Sequence, residues 1–497
     1  MDDIEVLFVT DNYEKYKYTQ APQGIKSYSW EQRKKTSRES FDIVIIDRNV
    51  TEKERDELID IANAYCMFYV DGNYDAITKN LFDRKMAQSM IKDAVEPFLR
   101  EEGRNFFHHS YGEKQKPNDI GIAQGFKGQV KWNGQYSVSI NGDYGQDFNQ
   151  IAFWRYNVPI EPGQALNFWL EYKKDPSVEI RLEMRKIVSG SLSDISQMWT
   201  FDEADLEDEI IVENDYAAGS IFVSLLARGS GKLDIVALHD RHSRRGWGTF
   251  MVGGERYVTK DREEIFCYFD PGDLKPPLAV YFSGYKTMEG FEGYHMMKKM
   301  GCPFLLISEQ RFEGGGFYQG SEEFEKLMIE IIEKYLGKLG FYQHQLILSG
   351  ISMGTIGAMY YGCVMRPHAL ILGKPLASLG DIAANERLKR PKGFPTSLDL
   401  LSHFAGGMDE DAIERLNDRF WSKIRNTDFS HTKFIVSYMF EDDYDATAYE
   451  RLLSELNSAG VQVYGKGLHG RHNDNTAGIG TWFKSQYVKV LKDDFNR

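Results

Sequence analysis

The sequence predicts an α/β protein in three parts: a small N-terminal α/β unit (1–110), a β-sandwich (111–240) and a C-terminal, mostly parallel sheet with helices on both faces (241–497). Three observations predict it. From about residue 255, short apolar runs alternate with helical periodicity at the spacing of strand–helix–strand units. Residues 111–240 carry evenly spaced, alternating segments punctuated by Gly, Asn, Asp and Pro, the texture of an antiparallel sandwich. A chain of 497 residues also exceeds what one hydrophobic core organises, so several domains are expected.

In the first part, IEVLFVT (4–10) and FDIVIID (41–47) are β-branched apolar runs of the kind that form buried parallel strands. TEKERDELIDIANAY (51–65) and NLFDRKMAQSMIKDAVEPFLREEG (80–103) read as helices. Gly-x-Gly-x-x-Gly is absent, which removes support for dinucleotide binding and leaves a Rossmann-like structural or docking unit. In the middle part QVKWNGQYSVSING, IAFWRYNVPI, ALNFWLEYKK, SVEIRLEMRKI, SIFVSLLARG and GKLDIVALHD each read as a strand. Trp132, Trp154, Trp169 and Tyr172 are candidates for a sugar-stacking surface, as in a carbohydrate-binding module, against the plainer reading of a sandwich core. HDRHSRRGWGTFMVGG (239–254) reads as a solvated junction, with Arg241, Arg244 and Arg245 as candidate anion ligands.

In the third part the expected strands are EIFCYFD (264–270), LAVYFSG (278–284), PFLLIS (303–308), QLILSG (345–350), ALILG (369–373), KFIVSYMF (433–440) and VQVYG (461–465). SEEFEKLMIEIIEKYLGKLG (321–340) and ATAYERLLSELNSAG (446–460) are helical. The charged helical stretch 374–430, between two late strands, is where a lid is expected. In such sheets chemistry sits at the carboxyl ends of the strands.

Composition excludes several functions. Apolar residues make up 42% and aromatics 13%, as in a packed globular protein. A formal charge of −14 disfavours a nucleic-acid partner, which would call for a basic face. Cys66, Cys267, Cys302 and Cys363 are scattered without a Cys-x-x-Cys pair, as buried thiols of a reducing compartment are. No signal-peptide pattern opens the chain and no apolar run approaches the roughly 20 residues of a membrane span, so a cytoplasmic protein is expected.

The chemistry concentrates at Gly350-Ile351-Ser352-Met353-Gly354, a Gly-x-Ser-x-Gly pattern between an apolar strand and the helix-like TIGAMYYGCVM. That context makes it a nucleophile elbow and the sheet α/β-hydrolase-like. Met353 N–H, at a helix start, is the first expected oxyanion donor. The second is expected from the loop after an earlier strand, at Gly284 or Tyr285. EQRFEGGGFYQG (309–320) lacks a Gly-Lys-Ser/Thr continuation, so it is not a phosphate loop. The base is expected at His472, just before the final helix, with His469 as fallback. The acid is expected after KFIVSYM at Asp442, with Glu441 and Asp443 as alternatives and Asp445 in the same cluster. No metal or cofactor is expected: the acidic cluster lacks the spaced, Gly-containing ligand loop of a Ca²⁺ site.

LSGISMGTIGAMYYG, HDRHSRRGWGTF, YMFEDDYDATAYERLL and GLHGRHNDNTAGIGTWF together resemble the accessory secretory protein 2 family of the accessory Sec system. The resemblance runs over most of the chain. It implies a Ser–acid–His site on Ser352, His472 and the EDD run, with Asp442 the favoured position, although the family acid can be glutamate. It further implies O-acetylation of N-acetylglucosamine on serine-rich repeat adhesins and a role in exporting them. The implied partners are the other accessory secretory proteins, the accessory Sec motor ATPase and the glycosylated adhesin. The implied location is cytoplasmic, peripheral to the membrane at the accessory translocon. The acetyl donor is not implied. The alternatives are a serine esterase or deacetylase, and a noncatalytic export adaptor.

Overall fold

The computed structural model describes residues 3–16, 24–36, 38–108, 111–214, 217–458 and 460–497. Its hydrogen-bonded strands form three sheets.

The first is a five-stranded parallel sheet in which Ile4–Val9 lies between Ile25–Ser29 and Ile43–Ile46, followed by Met67–Val70 and Gln88–Met90. The helix Glu52–Ile61 begins where its sequence says: the Thr51 side chain accepts from Glu54 N–H while Glu54 reaches back to Thr51. The expected helix over 80–103 is interrupted. Met86 adopts a left-handed conformation (φ 50°) that ends the helix Ala76–Lys85, and Gln88–Met90 then pairs with Phe68–Val70 before Val95–Glu101 resumes as helix. Helical propensity there yields to an open sheet edge.

The second sheet is antiparallel, and its core holds Ile140, Leu166, Phe168, Leu170, Leu182 and Leu225. Two long strands, Ser137–Trp154 and Gly219–His242, pair with each other and carry most of the remaining strands. SIFVSLLARG and GKLDIVALHD, expected as two strands, are therefore one: Gly229 (φ 90°) and Gly231 (φ 139°) bend the chain at register shifts without breaking the ladder. Conversely QVKWNGQYSVSING is a hairpin, Gln129–Asn133 turning at Gly134 (φ 59°) into the next strand. Trp154 and Trp169 are buried, the latter beneath the guanidinium groups of Arg256 and Arg262, so neither belongs to a sugar-stacking surface. Arg262 also covers the Tyr172 ring, whereas Trp132 is exposed.

The third sheet has eight strands: β1 (Glu255–Val258), β2 (Glu264–Asp270), β3 (Leu278–Phe282), β4 (Phe304–Ser308), β5 (Leu346–Ile351), β6 (Ala369–Gly373), β7 (Lys433–Met439) and β8 (Val463–Leu468). Their order is 1-2-4-3-5-6-7-8, with only β2 antiparallel to its neighbours. This is the α/β-hydrolase arrangement. The half-buried edge strand β1 is absent from the expected set because ERYV has no apolar run. Between strands lie α1 (Tyr294–Lys298), α2 (Glu322–Leu339), α3 (Met353–Met365), α4 (Leu379–Leu388), α5 (Thr396–Ala405), α6 (Glu410–Arg425) and α7 (Ala448–Ser458), and α8 (Thr476–Phe495) follows the last strand. One face packs α2 and α3, and the other packs α1 and α8. The inserted helices α4–α6 bury Leu400, Leu401, Leu416, Phe420 and Trp421 in the main core.

The junction 239–254 is not a solvated linker. Arg241 is 2% exposed and bonds Glu289, Glu209 and Glu264. Arg244 donates to the carbonyls of Asn105, Phe107 and Phe250, tying the residues that close the N-terminal unit to the third part. Arg245 bonds Glu213 and the Asn105 side chain. Buried guanidinium groups need planar acceptors on several sides, and three packed sheets supply them.

Candidate active site

At the end of β5 the chain turns sharply into α3, and Ser352 sits at the turn with φ 55° and ψ −121°. That conformation is strained for a residue with a side chain. Its neighbours make it possible. A Cβ on Gly350 would collide with the Gly354 carbonyl, and one on Gly354 with the Phe282 carbonyl oxygen. Ser352 N–H donates to Gly373 O at 2.8 Å, which fixes the turn against β6. Gly354→Ala is accordingly expected to lower stability by about 2 kcal/mol, read by urea denaturation, because the added methyl forces helix and strand apart.

Ser352 Oγ lies 2.8 Å from His472 Nε2, and His472 Nδ1 lies 2.7 Å from Asp442 Oδ2. Each side chain comes from the carboxyl-end loop of a different strand: Ser352 after β5, Asp442 after β7 and His472 after β8. The Asp442 and His472 side chains are 7% and 4% exposed. Asp442 Oδ1 accepts from the N–H groups of Tyr444 and Asp445, and His472 N–H donates to Asp443 Oδ1 at 3.1 Å. The imidazole is thus held from both its backbone and its ring. The alternatives go elsewhere: Glu441 bonds His469 and Gly470 N–H, and the side chains of that pair are largely exposed.

Asp445 points away from the trio and accepts from Ala377 and Ser378 N–H, fastening the start of the inserted helices. Burial pushes its carboxyl up to about 6, with the two backbone donors opposing. The native state therefore retains a proton that the unfolded chain releases between about pH 4 and pH 6, so this residue's contribution falls as pH rises through that window. Asp445→Asn is expected to flatten that part of the stability profile, measured by thermal denaturation across pH.

The candidate oxyanion donors divide. Gly284 N–H is already bonded to Glu292 Oε2 at 2.6 Å, which removes it from the pair. Met353 N–H and Tyr285 N–H have no partner among the described residues. The glycines of EQRFEGGGFYQG are packed against the site: Gly314 (φ 88°) lies under the Tyr285 ring and Gly315 (φ 126°) against Met353, where a Cβ would collide.

These groups open on a cavity of about 300 Å³ lined by Tyr285, Phe317, Leu376, Phe394 and Tyr444 around Ser352 and His472. Phe394 comes from the inserted segment, within the range expected to form a lid. Sequence reasoning missed Glu292, Lys374 and Tyr444. Lys374 had a signal, being the first charge after the apolar run ALILG at a strand's carboxyl end. Tyr444 packs against His472 with ring centroids 4.6 Å apart and planes tilted by 44°, a contact made only by the folded loops.

Residues 1–497 match the family described as "Asp2: Accessory Sec system GspB-transporter". The chain is 44% identical over 399 residues to the accessory Sec system protein Asp2 of Streptococcus gordonii, covering 80% of this chain and 78% of that protein. It is 37% identical over 465 residues to Asp2 of Staphylococcus aureus, covering 92% and 88%. Among solved structures it is similar to a chain of the Glycosylation Associate Protein (Gap123) complex from Streptococcus agalactiae, with a TM-score of 0.87, 36% identity and 99% coverage of both chains. No helix among the described residues is long and apolar enough to cross a membrane.

Proposed function

The chain belongs to the Asp2 family of the accessory Sec system, and from that premise we propose that it is a serine-dependent O-acetyltransferase acting on N-acetylglucosamine of serine-rich repeat adhesins during their export. The observation that carries the chemistry is the continuous hydrogen-bonded run from Ser352 through His472 to Asp442.

His472 Nε2 takes the Ser352 proton as the oxygen attacks the acetyl carbonyl of a donor, and Asp442 stabilises the imidazolium that forms. Met353 and Tyr285 N–H face the oxyanion. Collapse breaks the bond to the donor's leaving group, which takes the proton from His472. A sugar hydroxyl then enters, gives its proton to His472 and carries the acetyl group away, restoring the serine. Hydrolysis differs only in the final acceptor; the apolar walls of Phe317, Leu376 and Phe394 favour transfer by limiting water.

Its partners in this reading are the other accessory secretory proteins, the motor ATPase and the adhesin, at the cytoplasmic face of the translocon. The similarity to a chain of the Gap123 complex supports the first of these. Mass spectrometry of adhesin glycans from cells carrying Ser352→Ala tests the reading. Loss of O-acetyl groups is the expected result, and their accumulation identifies a deacetylase instead.

A further inference from the structure

We infer that the Ser352 cavity receives an acetyl donor bearing a phosphate group, recognised by Lys374; this rests on the acyl-transfer reading of the same cavity. Lys374 follows β6 in a left-handed conformation (φ 53°), is 4% exposed and lines the cavity. Its ammonium has three donors. Among the described residues, however, its side-chain hydrogen bond is to Thr476 Oγ1, at 3.2 Å, and no carboxylate stands within 4 Å; Asp442 and Asp474 act on it only at longer range. Thr476 is the first residue of α8, so the cation sits at the positive end of a 20-residue helix, where a cation is disfavoured.

The start of α3 opens on the same cavity. The cavity's carboxylate Glu292 is engaged with Gly284 N–H, and neighbouring Asp442 with His472 and two backbone N–H groups. Beside it, Arg390 lies 3.6 Å over the Tyr444 ring, with Nε and Nη2 buried and unbonded and its nearest carboxylate, Asp443, 3.7 Å away. A buried ammonium with no carboxylate in contact, beside a nucleophile, fits an anionic substrate. A buried ammonium without a contacting anion is costly, and a ligand phosphate supplies that contact. In the transfer step the acetyl carbon gains its bond to Ser352 Oγ and loses its bond to the donor's thiol sulfur or phosphoryl oxygen, which leaves with the electron pair.

Calorimetric titration of the Ser352→Ala chain with acetyl-coenzyme A and, separately, acetyl phosphate tests this and distinguishes thioester from acyl-phosphate donors. Binding of at least one is expected, weakened tenfold or more by Lys374→Met and largely restored by Lys374→Arg. Binding of neither, or binding indifferent to Lys374→Met, overturns the inference. With Ser352 present, the ratio of kcat/KM for the bound donor to that for neutral p-nitrophenyl acetate is expected to fall at least tenfold in Lys374→Met; an unchanged ratio also overturns it. Failure of the acyl-transfer reading shows differently, as acetyl release that persists in Ser352→Ala.

Discussion

Ser352→Ala is expected to reduce acetyl transfer by on the order of 10⁵-fold while leaving the thermal transition in place. The hydroxyl is the atom that would bond the acetyl group, and it contributes little to packing at the open cavity. Asp442→Asn should cost about 10⁴-fold, because an amide cannot hold His472 in the tautomer that accepts the serine proton. Glu441→Gln should leave the rate within about twofold, since the Glu441–His469 pair is exposed and touches neither Ser352 nor His472. Steady-state transfer assays on the three variants check the series. A loss confined to the 441 variant, with the 442 variant unaffected, would move the acid to the neighbouring position.

Arg241→Ala is expected to lower stability by about 3–5 kcal/mol, measured by denaturant titration. The guanidinium bonds Glu264 through two nitrogens at 2.6 and 2.8 Å and Glu289 at 2.6 Å, and both carboxylates are almost fully buried. Burial alone would raise their pKa values. Arg241 and Arg256 instead hold Glu264 well below the ordinary carboxylate range, and Arg241 and His239 lower Glu289. Without Arg241 the two charges lose their main partner in a site water does not reach. Arg241→Lys should recover only part of the loss, because an ammonium cannot reproduce the two-nitrogen contact with Glu264. Glu289 lies in the same loop as Tyr285, so the variant should also lower kcat by displacing the N–H proposed to face the oxyanion.

Much of the eight-stranded sheet was legible in the chain. The runs LAVYF, FLLIS and ALILG are short, apolar and β-branched or aliphatic, and buried parallel strands have few other ways to appear. Ser321 and Gly340 bracket α2 by local chemistry, a side-chain cap at one end and a left-handed glycine at the other. The middle part is harder to read. A strand of 24 residues that bends at glycines looks, along the sequence, like two strands with a turn.

The trio shows the same division. Ser352 announces itself because the elbow's constraints are local: two close-packed glycines within two residues of it. Chain order places His472 and the acidic run, but adjacent carboxylates at 441, 442 and 443 are equivalent in a sequence.

By itself the sequence determined the parallel sheet, the elbow and the loops that meet it, because periodicity, β-branching and glycine spacing act over a few residues. Only the tertiary structure decided which carboxylate faces the imidazole, that Gly284 N–H is spent on Glu292, and that the arginines of 241–245 are engaged among three sheets. Those outcomes depend on direction and burial, which arise when distant segments pack and share a low-dielectric interior.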